Sequence, residues 1–236
     1  MSAKPQTAQR ATRRSRARRL GIFGGTFDPI HLAHLRCAEE AREALSLDQV
    51  LFIPSASPPH KGGAVASGAD RLAMVRRAIA GHASFRASSI ELERSGRSYS
   101  IDTLRALRER FPEPTKFVFL LGLDAFREIG TWKQYADLFS LADFAVLSRP
   151  PRRNPSPRSL LPVAARRQFC YAASERMLVH TSGNRIVFLD VTPLDISASD
   201  IRQRVRRGNS IRYLVPSSVE RYLDRHQLYR RGNRSS

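Results

Sequence analysis

Two histidines three residues apart, His31 and His34, follow a glycine pair, Gly24-Gly25, in the stretch 21–35, GIFGGTFDPIHLAHL. Neither common phosphate loop is present, G-x-G-x-x-G or G-x-x-x-x-G-K-[ST]. The physics is nonetheless that of an anion site. Glycines let the backbone approach a phosphate and bare its N–H groups. Residues three apart at a helix start share one face, and a helix N-terminus favours anions. Two imidazoles there can donate hydrogen bonds to phosphate oxygens. Near the other end, Ile196-Ser197-Ala198-Ser199-Asp200-Ile201-Arg202 offers a second such place. Ser199 is a good N-cap for the helix that follows, and Arg202, one turn in, presents a planar fork of donors suited to phosphate. The same seven residues also read as a plain capped amphipathic helix.

Three further segments carry chemistry-bearing residues. Pro54-Ser55-Ala56-Ser57-Pro58-Pro59-His60-Lys61 follows a short apolar run and ends in a cation. Lys61 there is either a surface lysine or one that reaches a phosphate. Glu93-Arg94-Ser95-Gly96-Arg97-Ser98-Tyr99-Ser100-Ile101-Asp102-Thr103-Leu104 leads into a helical pattern, where Ser100 and Asp102 can cap the helix and offset its dipole. Gly122-Leu123-Asp124, with the single tryptophan Trp132 after it, follows the most apolar run of the chain. Asp124 is a cap or a ribose ligand. Trp132 is a core residue or a stacking platform.

The first stretch resembles the signature of the nucleotidyltransferase superfamily, whose H-x-G-H motif is shared with class I aminoacyl-tRNA synthetases. Ala33 stands where that motif most often has Gly, and its methyl would tighten the fit over an adenine. The 196–202 segment is similar to the family's I-S-x-[ST]-x-x-R motif. Taken with the three further segments and the closing Tyr213-Leu214-Val215-Pro216, the chain resembles the bacterial nicotinate-nucleotide adenylyltransferases from about Gly21 to Tyr229. The resemblance implies ATP contacts at Gly24, Gly25, Thr26, Phe27, His31, His34, Ser199 and Arg202, with His31, His34 and Arg202 catalytic. It implies a mononucleotide site of Lys61, Tyr99, Asp102, Thr103, Gly122, Asp124 and Trp132. The backbone around Asp102 and Thr103 would receive a pyridine carboxylate, which amide donors suit better than a carboxamide, and Trp132 would stack on the ring. The implied reaction is adenylyl transfer from ATP to nicotinate mononucleotide. It needs no protein nucleophile, and its Mg²⁺ is held by substrate phosphates and water rather than by a carboxylate cage.

The elements that must position these residues alternate. Strands are expected over Leu20–Phe23, Val50–Ile53, Ser89–Leu92, Lys116–Leu121, Asp143–Leu147 and Arg185–Asp190, the last of the chain. Helices are expected over His34–Leu45, Ala69–Ala80, Ile101–Phe111, Asp200–Arg207 and Ser217–Gln227. Such alternation predicts a Rossmann-like, doubly wound parallel sheet with helices on both faces and a small C-terminal helical part. Ligands of such sheets bind at the carboxyl ends of the strands, near the switch point. The loops after Phe23, Ile53, Leu121 and Asp190 should therefore hold the site.

Composition bounds the reading. The 236 residues carry a net charge of +19, of which Lys4, Arg10, Arg13, Arg14, Arg16, Arg18 and Arg19 supply seven before the first acid, Asp28. Residues 1–19 read as a disordered basic tail, 20–231 as the nucleotidyltransferase domain and 232–236 as a disordered end. The Pro- and Arg-rich stretch 149–160 reads as a surface loop. What remains is still basic, which suits a polyanionic small molecule and also nucleic acid. The basic runs at 1–19 and 149–167 lack the interleaved aromatics of a single-strand binder, which disfavours the nucleic-acid reading. Cys37 and Cys170 have no metal-ligand spacing, and no run approaches the roughly 20 apolar residues of a membrane span. A cytoplasmic protein is expected. The same chemistry on nicotinamide mononucleotide is the nearest alternative, and the sequence leaves monomer against homo-oligomer open.

Overall fold

The computed structural model describes residues 17–56, 66–111, 114–148, 156–172 and 176–230. Eight strands form one sheet: β1 (Arg18–Gly25), β2 (Gln49–Pro54), β3 (Phe85–Ala87), β4 (Thr115–Gly122), β5 (Asp143–Ser148), β6 (Phe169–Tyr171), β7 (Met177–His180) and β8 (Arg185–Asp190). Their order is β3-β2-β1-β4-β5-β8-β7-β6. The first six in that order are parallel, and β7 and β6 close one edge antiparallel. The order turns back between β1 and β4, which is the switch point the alternating pattern calls for.

The sheet is buried on both faces, as parallel sheets are. One face packs Phe23, Phe52, Val118 and Leu120 against three helices, α1 (Leu32–Ala44), α2 (Gly68–Ala78) and, later in the chain, α7 (Ser217–Arg225). Their apolar stripes are Cys37, Ala38 and Ala41; Met74 and Val75; and Val219 and Leu223. The other face packs Leu20, Ile22, Phe117, Phe119 and Leu121 against α3 (Ser100–Arg110), α4 (Leu123–Arg127) and α5 (Tyr135–Leu141). The remaining helix, α6 (Ala198–Arg206), contributes Ile201 to the first face. Alternate residues of β1, Ile22 and Phe23, feed the two cores in turn. Among the described residues no helix is long and apolar enough to cross a membrane.

Several boundaries differ from the expectations. Strand β1 begins at Arg18, not Leu20, because Arg18 and Arg19 pair with Thr115 and Lys116 on β4. Their polar ends are met by Gln49, 2.9 Å from the Arg18 guanidinium, and by Asp48, which accepts the Arg19 amide at 2.7 Å. Tail residues 1–16, Lys61, positions 149–155 of the Arg-rich stretch and 231–236 lie outside the described residues. The strand expected at Ser89–Leu92 is instead β3 at Phe85–Ala87, and the expected segment is turn. Ile90 there is buried against α3 rather than in a ladder. The hairpin β6–β7 and the short helices α4 and α5 carry no periodic pattern long enough to mark them.

Candidate active site

Gly24 and Gly25 end β1, still paired with Ile53 and Pro54 of β2. Phe27, two residues on, folds back under them at φ +49° and is 2% exposed. A Cβ on Gly25 would meet the Phe27 ring at 3.0 Å, so a larger residue there would press on that buried ring. Phe27 lies edge-on to Phe23 and His34. Its side chain is thus core beneath the loop rather than part of the cavity wall, which leaves its backbone as the part that can face ATP. The loop is held from below by Arg71 of α2, 1% exposed, whose guanidinium donates to the carbonyls of Thr26 at 2.8 Å and Ala66 at 3.3 Å. Burial pulls the Arg71 pKa down, and Asp28 opposes that pull.

Helix α1 starts where the chain leaves this loop. His31 is its N-cap and His34 sits at the third helical position, in a capping box. The two rings stack with centroids 3.7 Å apart, and the His31 amide donates to His34 Nδ1 at 3.3 Å. With Nδ1 accepting, the proton of a neutral His34 ring resides on Nε2, which leaves that atom as a donor. The Leu32 amide donates to the Leu214 carbonyl at 3.0 Å, so the Tyr213–Pro216 stretch braces the helix start. Ala33 is 2% exposed. Its methyl is buried within the protein, so it does not lie over an adenine.

Arg202 reaches the same loop from the far end of the chain. Its Nη1 donates to the Asp28 carbonyl at 2.7 Å and lies 3.7 Å from the Asp28 carboxylate. Asp28 is 3% exposed and also accepts from the Ala66 amide and from the Tyr229 hydroxyl, at 3.1 and 2.5 Å. Burial, reinforced by Asp28, holds the Tyr229 hydroxyl far above its usual range, so it stays protonated as a donor. The N-cap of α6 is Ser197, whose hydroxyl accepts the Asp200 amide at 3.1 Å. Ser199, expected as the cap, lies inside the first turn with its hydroxyl 3.0 Å from that of Ser197.

At the switch point a cavity of about 530 Å³ opens between the ends of β1 and β4. Of the expected residues, Gly24, Gly25, Thr26, Tyr99, Thr103, Gly122 and Trp132 line it. Trp132 is half-buried and meets Phe119 edge-on at 6.0 Å, leaving ring surface toward the cavity. Phe27, His31, His34, Ser199 and Arg202 of the expected ATP set stand outside the lining, as do Asp102 and Asp124 of the mononucleotide set. Asp124 is an exposed partner of Arg127, 3.1 Å away. The Asp102 carboxylate instead pairs with Lys133 at 3.1 Å, and Lys133, a lining residue, lies 4.8 Å above the Tyr99 ring. The amides of Asp102 and Thr103 both donate to the Tyr99 carbonyl at 3.1 Å. They are therefore engaged within the helix, and Tyr99, not Ser100, is the cap. The amides of α3 that precede its first intrahelical bonds are those just before, at Ser100 and Ile101.

The sequence reading missed Arg71, Glu91, Arg97, Ser98 and Lys133. Arg71 carried a signal: it falls on the helical stripe of Met74 and Val75, where a charge must find partners inside. Glu91, between Ile90 and Leu92, looked like the outward residue of a strand. Among the described residues no group of three or more His, Cys, Asp or Glu could hold a metal ion.

Comparison with known proteins agrees with this architecture. The chain matches the cytidylyltransferase-like family model over residues 22–204. It is 50% identical over 219 residues to a probable nicotinate-nucleotide adenylyltransferase of Syntrophotalea carbinolica, spanning 92% of this chain and 100% of the relative. It is 52% identical over 213 residues to one of Trichlorobacter lovleyi, spanning 89% and 99%. The solved nicotinic acid mononucleotide adenylyltransferase of Plasmodium falciparum, complexed with NaAD, superposes with a TM-score of 0.68. At 19% identity over 90% of this chain and 97% of that one, this is a likeness of fold.

Proposed function

Because the chain belongs to the nicotinate-nucleotide adenylyltransferases, within the cytidylyltransferase-like family, we propose that it joins the adenylyl group of ATP to nicotinate mononucleotide. The products are nicotinate adenine dinucleotide and pyrophosphate, a cytoplasmic step of NAD biosynthesis. The observation that carries this reading is the continuity of one cavity. It runs from the glycine pair of β1 to the start of α3 and Trp132, so a phosphate loop and an aromatic, amide-lined wall share a space of nucleotide size. Neither Cys37 nor Cys170 is in a disulfide, which fits a reducing compartment.

In the reaction an oxygen of the mononucleotide phosphate attacks the α-phosphorus of ATP in line. The new O–Pα bond forms as the bond from Pα to the bridging oxygen breaks, and pyrophosphate leaves with that electron pair. The attacking oxygen is already anionic, so no base is required. The protein's contribution is positioning and charge stabilisation. His31 and His34 donate to the α-phosphate region from the start of α1. Arg202, anchored on Asp28, covers the departing phosphates, with Ser199 beside it at the start of α6. Lys61, which lies outside the described residues, is assigned to the mononucleotide phosphate by resemblance. Mg²⁺ enters as part of the substrate, MgATP; Asp28, the acid of the loop after β1, is already occupied by Tyr229 and Arg202.

At the other end Trp132 stacks on the pyridine ring. The ring carboxylate is received two positions earlier than the sequence suggested, by the Ser100 and Ile101 amides at the mouth of α3, with Lys133 at the rim. Pyrophosphate release from MgATP, with nicotinate and nicotinamide mononucleotide run in parallel, tests this. The expected result is a kcat/KM preference for nicotinate of roughly 10²-fold or more, about 2.7 kcal/mol. Equal use of both would keep the reaction class and remove the amide site. Release with neither would overturn the function and move the test to nucleic-acid binding.

A further inference from the structure

Glu91 is an acid in the wrong-looking place. It lines the cavity that takes an anionic mononucleotide, yet it is 8% exposed and no part of the transfer chemistry needs it. Burial raises its pKa, so the charged form is costly there. What it does is visible in its contacts. Thr103 Oγ1 donates to Glu91 Oε1 at 2.7 Å, and Arg94 Nη2 donates to that same Thr103 oxygen at 2.6 Å. The Ser98 hydroxyl is also hydrogen-bonded to the Glu91 carboxylate. Ser98 Oγ accepts the Ala56 amide at 2.9 Å, so its own proton is the one directed at Glu91. A single carboxylate thus ties three places together: the loop after β2, the Ser98–Ser100 approach and the first turn of α3. Ser55, Ser98, Tyr99, Ser100 and Thr103, all within this tie, line the cavity.

We propose that Glu91 is a positioning residue for the mononucleotide. It fixes the Ser98–Ser100 backbone so that the amides opening α3 point at the pyridine carboxylate. Its two hydroxyl donors explain why an acid is used. A carboxylate accepts from both Ser98 and Thr103, whereas an amide side chain offers one oxygen acceptor and presents donors on its other side. Arg94 and Arg71 lie close enough to offset its charge.

This inference rests on the adenylyl-transfer reading, and its test separates the two. Glu91→Gln is compared with wild type by steady-state kinetics in each substrate. Nicotinate mononucleotide binding is measured separately, by quenching of Trp132, the only tryptophan of the chain. The expected result is a KM and Kd for nicotinate mononucleotide raised at least tenfold, about 1.4 kcal/mol. The kcat stays within about threefold and the KM for ATP is unchanged, since a positioning loss falls on one ligand. The preference for nicotinate over nicotinamide shrinks by the same factor. Ser98→Ala, a milder change at a half-buried site, gives the same split at smaller amplitude, and serves if Glu91→Gln fails to fold. Parallel rises in both KM values, or a fall in kcat or melting temperature alone, would overturn the proposal. A wild-type protein that bound nicotinate mononucleotide without releasing pyrophosphate would overturn the transfer reading instead and leave Glu91 testable by quenching.

Discussion

His34 has two separable jobs in this structure, and substitution should pull them apart. Its Nδ1 accepts the His31 amide and closes the start of α1, while the proposed reaction assigns its Nε2 to a phosphate. His34→Ala removes both. Loss of a cap interaction costs about 0.5–2 kcal/mol, which in a protein of this size lowers the melting temperature by a few degrees. Loss of one transition-state donor costs roughly 10²-fold or more in kcat, about 2.7 kcal/mol. His34→Glu is the discriminating change. Glutamate is the favoured third residue of a capping box, and a negative charge in the first helical turn is stabilising. Its carboxylate restores the acceptor for His31 but faces the phosphate with the wrong sign. Its melting temperature should therefore match or exceed that of wild type while its turnover falls below that of His34→Ala. The assay is pyrophosphate release at saturating MgATP and nicotinate mononucleotide, beside thermal melts of all three proteins. A near-normal rate in His34→Ala, or recovery of rate together with stability in His34→Glu, would refute the assignment.

Arg202→Lys keeps the charge but loses the fork that grips the Asp28 carbonyl at 2.7 Å and that the proposed reaction extends to a phosphate; kcat/KM for ATP should fall roughly 10²-fold with the KM for the mononucleotide little changed. Trp132→Ala should raise the KM for nicotinate mononucleotide about tenfold, in line with a base–aromatic stack of about 1–3 kcal/mol, and leave kcat within a few-fold. Acid stability follows from carboxylates held below their usual range. Glu39 is lowered by its hydrogen bond from Arg42, and Asp190 by that from Ser148, against the opposing effect of burial. A depressed folded pKa gives stability that is present above the unfolded value of about 4 and lost as pH falls through the folded one. Melting temperature should therefore drop below about pH 4, and Asp190→Asn should flatten that limb; a limb of unchanged slope would remove Asp190 from the account.

The parallel sheet, its switch point and the helix that starts at the paired histidines were legible because each depends on local pattern. Apolar runs of strand length alternate with helical stripes, and the glycine pair with its paired histidines is contiguous in sequence. What was not legible depends on contacts across long separations. Nothing near Phe27 says that it turns under Gly25, or that Asp28 will meet both Arg202 and Tyr229 near the far end of the chain. The Asp102–Thr103 amides looked available because a helix start was read one residue late, and one residue decides which N–H groups are bonded. Ser89–Leu92 has the alternation of a strand, but Glu91 finds its hydrogen bonds in α3 rather than in solvent, and the ladder forms at Phe85–Ala87 instead.

The two buried acids beside the site, Asp28 and Glu91, explain how so basic a chain handles two anionic substrates with order. Loose arginines would bind phosphate in many poses, because a guanidinium on a flexible stem carries about 2 kcal/mol of rotamer freedom. Asp28 removes that freedom from Arg202 and orients the loop after β1 through Ala66 and Tyr229. Glu91 removes it from the Ser98–Thr103 approach. Each acid lowers the net positive charge of the site yet narrows the directions in which donors point. Catalysis by stabilising a pentacoordinate phosphorus rewards the second effect more than the first, since donors fixed in advance need no reorganisation when charge develops. The acids are thus part of the anion site by geometry, and neutral isosteres at either position should weaken it despite making it more positive.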